Sequence, residues 1–312
     1  MLFPAVRLPA LAVTLLAGTT LAGCALPTST DPATPPASSS PTTAAQRPVT
    51  IVRVQAVTAD NRLIAFDARQ PGTILSDKPL AGLQPGETLL GIDYRVAKGQ
   101  LYGVGSSGRL YRIDAETADA SAVGGPPPFP LVGDDFGIDF NPTVDRLRVV
   151  SSGGLNLRLH PDTGAAVDGN ADLPGLQFDG PLRYEPTDVN ANRGARIVAA
   201  AYTYNKENEK ITTNYAIDAN FGTLVMQGSR EGTTPAVSPN TGRLTTVGKL
   251  GVAPFWQASF DISDLSNAAY AALTARGATV SRWVGIDLQT GAARELGTIG
   301  GGAAVRGIAI EP

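Results

Sequence analysis

Short runs in which apolar and polar residues alternate fill residues 49–312, and each run breaks at a turn rich in Gly, Asn, Asp or Thr. A period of two over four to eight residues predicts strands with packed faces. Two phrases recur. The first is a Gly-Ile-Asp-aromatic strand: Gly91-Ile92-Asp93-Tyr94, Gly137-Ile138-Asp139-Phe140, loosely Ser259-Phe260-Asp261-Ile262, and Gly307-Ile308-Ala309-Ile310. Aligning Asn141-Pro142 with Glu185-Pro186 makes Pro181-Leu182-Arg183-Tyr184 the third copy. The second phrase is an apolar strand running into an Asp-x-x-Thr-Gly turn. It reads Leu110 to Asp114 before Thr117-Ala118, Leu157 to His160 before Thr163-Gly164, and Trp283 to Asp287 before Thr290-Gly291. Leu63 to Asp67 and Tyr215 to Asp218 are looser copies. In such turns the Asp carboxylate accepts nearby backbone N–H groups and the Gly lets the chain reverse.

Both phrases occur five times, at the period expected of a propeller. The pattern predicts an all-β protein, a β-propeller of five blades, with six as the alternative. The long interval between the third and fourth strand copies holds Ser238-Pro239-Asn240-Thr241-Gly242, a sixth turn-like phrase that reads as an inserted hairpin. The last strand copy stands at the C-terminus, while the first turn lacks an opening strand. Pairing residues 305–310 with strands from 51–75 would close the ring and remove its exposed edges. Helical periodicity is confined to Leu265–Arg276.

The first 48 residues are of another kind. Arg7 precedes an apolar run from Leu8 to Ala22, shorter than the ~20 residues of a membrane span and suited to a secretory signal. Leu21-Ala22-Gly23-Cys24 follows and resembles the lipobox of bacterial lipoproteins. That resemblance implies removal of residues 1–23 and lipidation of Cys24, hence a cell-envelope protein whose partner is the membrane, through a lipid anchor. Ala25, where an Asp would favour inner-membrane retention, points to the outer membrane if the cell is Gram-negative. Residues 24–48 are dominated by Pro, Ser, Thr and Ala and predict an extended tether, which leaves 49–312 as the folded domain. Cys24 is the only cysteine, so the domain forms no internal disulfide. The net charge of −3 offers no basic field for nucleic acid.

Candidate chemistry is sparse. Gly103-Val104-Gly105-Ser106-Ser107-Gly108 spells the dinucleotide fingerprint but lies between two strands, where a hairpin turn is expected. His160, the only histidine, takes the Asp position of a turn and cannot build a multi-histidine zinc site. Asp168-Gly169-Asn170-Ala171-Asp172 has the spacing of a calcium loop, so Asp168, Asn170 and Asp172 are candidate calcium ligands. Leu173 and Asp179 then stand where such a loop needs Gly and Glu. Asp93, Asp139, Arg183 and Asp261 take equivalent positions in the strand phrase, with Ala309 the fifth. Pseudo-symmetry would gather them at the axis, either as a site for a metal or small ligand or as acceptors for backbone amides of the next blade.

The stretch Gly137 to Val150, with Pro161 to Gly164, Val198 to Thr203 and Val305 to Ile308, resembles the bacterial secreted family catalogued as domain of unknown function 4394. The resemblance spans most of residues 50–311 and implies a propeller-like, exported protein, with no activity and no catalytic residues to carry over. A binding module for an extracytoplasmic ligand or protein is the expected function. The alternatives are a glycoside hydrolase using carboxylates such as Asp134, Asp135, Glu185 and Asp188, and a purely structural envelope protein.

Overall fold

The computed structural model describes residues 51–312. The predicted signal peptide, Cys24 and the tether lie outside the described residues. Within them, twenty strands form five sheets. Blade 1 contains β20 (Val305–Ile310), β1 (Arg53–Thr58), β2 (Arg62–Asp67) and β3 (Gln70–Pro79), in that order. Blade 2 is β4 (Leu89–Arg95), β5 (Gln100–Gly105), β6 (Leu110–Ile113) and β7 (Ala120–Val123). Blade 3 is β8 (Phe136–Asn141), β9 (Arg146–Ser151) and β10 (Asn156–Leu159), its fourth strand reduced to one bridge from Leu159 to Ala166.

Blade 4 runs β12 (Ile197–Tyr202), β13 (Asn214–Asp218), β14 (Thr223–Gln227) and β15 (Arg243–Lys249), with β11 (Arg183–Tyr184) added parallel outside β15. Blade 5 is β16 (Gln257–Ile262), β17 (Ala269–Thr274), β18 (Arg282–Ile286) and β19 (Ala293–Thr298). The strands β20, β4, β8, β12 and β16 touch in a closed cycle around the axis. The molecule is therefore a five-bladed propeller, as the repeat count predicts. Antiparallel pairing of β20 with β1, from Val54↔Ile310 to Thr58↔Val305, closes blade 1 from the two ends of the domain.

Position in the blade decides the pattern of each strand. Inner strands are covered by a neighbouring blade on either side, so β12 is buried at all six positions and reads as an unbroken apolar run. The outermost strands face water, and β3 and β19 mix exposed with half-buried residues. Five apolar clusters, one per blade boundary, make up the core. At the boundary of blades 5 and 1, Trp283 is fully buried, its indole edge-on to Phe66 and its Nε1 donating to the Ala68 carbonyl at 2.9 Å.

Three expectations are corrected. Pro181 to Tyr184 is not the third inner strand: Arg183 and Tyr184 lie at the outer edge of blade 4, and β12 holds the axial place. The Ser238 to Gly242 phrase is no inserted hairpin. It joins β14 to β15, the same junction that Asp114, His160 and Asp287 serve elsewhere, whereas Asp218 turns between β13 and β14. Leu265–Arg276 contains β17, because ladders to β16 and β18 on either side override its helical spacing. Among the described residues no helix is long and apolar enough to cross a membrane.

Candidate functional site at the ring axis

At Gly137 and Gly307 the neighbouring inner strand passes too close for a side chain. A Cβ built on Gly137 would come within 2.5 Å of the Ala199 carbonyl carbon, and one on Gly307 within 2.7 Å of the Gly91 Cα. Two residues further along, the Asp side chains reach across to the next blade. Asp93 Oδ2 accepts the Phe140 N–H at 2.6 Å, Asp139 Oδ1 the Tyr202 N–H at 3.1 Å, and Asp261 Oδ2 the Ile310 N–H at 2.6 Å. Asp261 Oδ1 also accepts the N–H of Ile262 at 2.6 Å. Ser259, where other copies have Gly, extends the same device: its Oγ accepts the Ile308 N–H at 2.7 Å. Each contact satisfies an inner-strand amide that has no partner strand on the axial side.

The three carboxylates also meet one another. Asp93, Asp139 and Asp261 are buried and offer one oxygen each, all within 4.8 Å of one another. The cavity at this end of the axis measures about 10 Å³, room for roughly one water-sized centre. Burial, and then the charge of neighbouring carboxylates, pushes Asp93 and Asp139 well above the usual range. Burial holds Asp261 at about 6 despite its two backbone donors. Such a trio can share protons or hold a single hard cation with oxygen ligands. Tyr204 hangs over it from the loop after β12, and burial together with the nearby carboxylates raises its phenol. That loop is pinned to blade 5 by Tyr204 N–H to Asn267 Oδ1 at 2.8 Å and Asn267 Nδ2 to the Tyr204 carbonyl at 2.7 Å.

Arg183 is not part of this set. It is exposed at the blade edge, and the axial position in blade 4 belongs to Ala201 in the all-apolar β12. The axis therefore has three carboxylates and no guanidinium. Sequence comparison of the phrases missed Ala201, although the unbroken apolar run from Ile197 to Tyr202 signals a strand buried on both faces. It also missed Tyr204, which no repeat marks.

Beside the trio, a pocket of about 290 Å³ opens between the β4–β5 turn, the β8–β9 turn and the loop after β12. Arg95, Phe140, Asn141, Tyr204, Asn205 and Lys206 line it. Arg95 is buried and held by Asp145 at 2.5 Å and Asp162 at 2.5 Å, a clamp between blades 2 and 3.

The remaining candidates are dispersed. Asp168, Asn170 and Asp172 lie exposed in the connection after β10. Asp168 Oδ1 accepts the amides of Asn170 at 3.0 Å and Gln177 at 3.1 Å, and Asn170 Oδ1 that of Asp172 at 3.2 Å. His160 Nδ1 accepts the Asp162 amide at 3.2 Å in its turn. Gly103 to Gly108 is the β5–β6 hairpin, closed by Gly108 N–H to the Gly105 carbonyl. Asp135 pairs with Arg196, Glu185 with Arg243 at 2.7 Å, and Asp188 accepts from Thr246 N–H at 2.7 Å and Thr246 Oγ1 at 2.9 Å.

A closed five-bladed ring with acidic residues on its axis defines a β-propeller whose inner strands are tied by carboxylate–amide bonds. The family model described as "Domain of unknown function (DUF4394)" matches residues 62–309, so the chain belongs to that family. No curated protein sequence matches the chain. Among solved structures it is similar to a chain in the crystal structure of a nidogen/laminin complex, at 12% identity over 84% of this chain and 99% of that one, with a TM-score of 0.43. It is also similar to a structural-genomics protein of unknown function from Bacteroides thetaiotaomicron, at 15% identity over 78% of this chain and 58% of that one, TM-score 0.42.

Proposed function

We propose that this protein is an envelope-anchored lipoprotein whose propeller is a binding module. The anchor rests on the signal-like apolar run and on Cys24 at the lipobox position. The observation that carries binding is the pocket of about 290 Å³ beside the axial trio, near the lower end of the usual size for small-molecule sites. It places the Tyr204 phenol, the Asn205 amide, Lys206 and the carboxyl groups of Asp145 and Glu209 around one concavity, which is how a rigid scaffold fixes the orientation of a small polar ligand. The acids of the hydrolase alternative favour this reading too. Asp135, Glu185 and Asp188 are engaged in ion pairs or backbone bonds, which leaves Asp134 exposed without a second acid partner from that set, and the axial trio surrounds a space too small for a sugar ring.

Incubating the purified full chain with glycan and peptide fractions of the cell envelope tests the reading. Stabilisation against heat by a component recovered unchanged is the expected result. Conversion of that component to a new product, or no stabilisation by any fraction, would overturn it.

A further inference from the structure

The boundary between blades 3 and 4 is built differently from the other four. Its apolar cluster has seven buried residues, against eleven or more at each of the others. Buried polar groups fill the difference. Arg148 on β9 donates to Tyr202 Oη at 2.6 Å, Asn156 Oδ1 at 2.5 Å, Asn240 Oδ1 at 2.5 Å and Asp179 Oδ2 at 3.1 Å. Gln227 Nε2 on β14 donates to Asn156 Oδ1 at 3.0 Å and the Pro239 carbonyl at 2.8 Å.

Alongside this network the two blades part, and a groove of about 760 Å³ opens between them. Arg146 and Arg158 come from blade 3, and Lys210, Arg230 and Glu231 from blade 4. Arg158 is neutralised by Asp179 at 2.8 Å. Among the described residues no carboxylate pairs with Arg146, Lys210 or Arg230. On a chain of net charge −3 the groove is thus locally cationic.

Asn214 in β13 also lines the groove, 2% exposed, with neither Oδ1 nor Nδ2 hydrogen-bonded. Directly across the ladder, Gln227 leaves its Oε1 unpartnered as well. Buried amides are nearly always hydrogen-bonded; Asn214 and Gln55 each have neither amide atom bonded, and of the two only Asn214 lines this groove. A hydroxyl both donates and accepts, and so matches the Asn214 amide; a bare anion can satisfy only the donor. Arg146 and Arg230 otherwise reach only uncharged oxygens, Arg146 the Asp145 carbonyl at 2.9 Å and Arg230 Gln289 Oε1 at 2.7 Å, so the cations of the wall call in turn for a carboxylate.

We propose that the groove between blades 3 and 4 binds an acidic saccharide. Its carboxylate meets Arg146, Lys210 and Arg230, and its hydroxyl groups reach the Asn214 amide, which is covered in this structure, through a side-chain shift at the groove floor. The proposal rests on the binding-module reading but concerns the groove that adjoins the pocket beside Tyr204, the two sharing Asn141 and Ile211.

Calorimetric titration of the full chain with trigalacturonate, trimannuronate, uncharged maltotriose and sulfate tests it. At least one uronate trimer should bind ten times more tightly than maltotriose or sulfate. Asn214→Ala should weaken that binding at least tenfold. Because a buried change can disturb folding, the surface double variant Arg146→Gln/Arg230→Gln should do the same with unchanged melting. Failure of both uronates to bind, equal binding of maltotriose or sulfate, or full affinity in the folded double variant would each overturn the proposal. Stabilisation by a different envelope component in the presence of any of these failures would leave the broader binding-module reading intact.

Discussion

The Asp139 carboxylate of blade 3 accepts the backbone N–H of Tyr202 in blade 4 at 3.1 Å, while remaining in contact range of Asp93 and Asp261. One side chain thus serves as an inter-blade strut and as part of a buried cluster of like charges. The two roles make opposite demands on protonation, since a carboxylate accepts an amide best when ionised, and its neighbours favour the acid.

That conflict predicts a pH dependence. The folded chain holds Asp93, Asp139 and Asp261 above the ordinary carboxylate value of about 3.9. It therefore keeps protons that the unfolded chain releases. The contribution is fully present below about pH 4 and is lost as pH rises through the folded values, about 6 for Asp261. Melting in chelator should fall between pH 5 and pH 8. Asp139→Asn, which keeps an oxygen for Tyr202 and removes a charge, should flatten the fall. Calcium or magnesium added at pH 8 should raise the wild-type melting temperature by mass action if the ionised trio holds the ion. Identical melting at both pH values would show that the trio is no liability.

Glycine at the axis gives a graded test. At Gly137 a methyl group would meet Ala199 backbone, which cannot move aside, whereas at Gly91 it would meet the tip of Ile138 at 2.8 Å. Gly137→Ala should cost about 1–3 kcal/mol or more by overpacking, and Gly91→Ala less. Chemical denaturation of the two variants reads the difference; equal losses would contradict the close-approach explanation.

Arg148 is 1% exposed and serves four acceptors at once. Removing it strands Tyr202 and Asn240, although Asp179 keeps Arg158 and Asn156 keeps Gln227. Arg148→Ala should cost about 1–3 kcal/mol for each buried acceptor left without a donor. A loss under 1 kcal/mol in urea unfolding would mean that water replaces the guanidinium freely.

Ring closure depends on β20, the inner strand of blade 1. Deleting residues 305–312 uncovers β1 and opens the axial cycle, so aggregation or a large drop in melting temperature is expected. A monomeric deletion variant with wild-type melting, by size-exclusion chromatography and calorimetry, would show that the other four blades hold the ring.

Anchoring is tested independently of the fold. Cys24→Ser should move the protein from the membrane fraction to the soluble fraction and remove acyl chains from its mass spectrum. An unmodified native N-terminus elsewhere would end the lipoprotein reading.

Local pattern was enough to determine much of this protein. Alternating strands, recurring phrases at blade-length spacing and a terminal half-repeat specify a closed propeller, because most blades are local hairpin stacks whose period is written in consecutive residues. The positions of Asp93, Asp139 and Asp261 were legible for the same reason. Tertiary structure decided the rest. In blade 4 the long insertion before β12 carries Arg183 to the outer edge, and the axial strand is Ile197 to Tyr202, whose apolar run contains no repeat phrase. Whether the carboxylates meet depends on how closely five strands approach the axis, a distance set by glycine contacts between blades rather than along the chain. The groove at Asn214 likewise exists only because two neighbouring blades pack with too little apolar surface to seal their boundary.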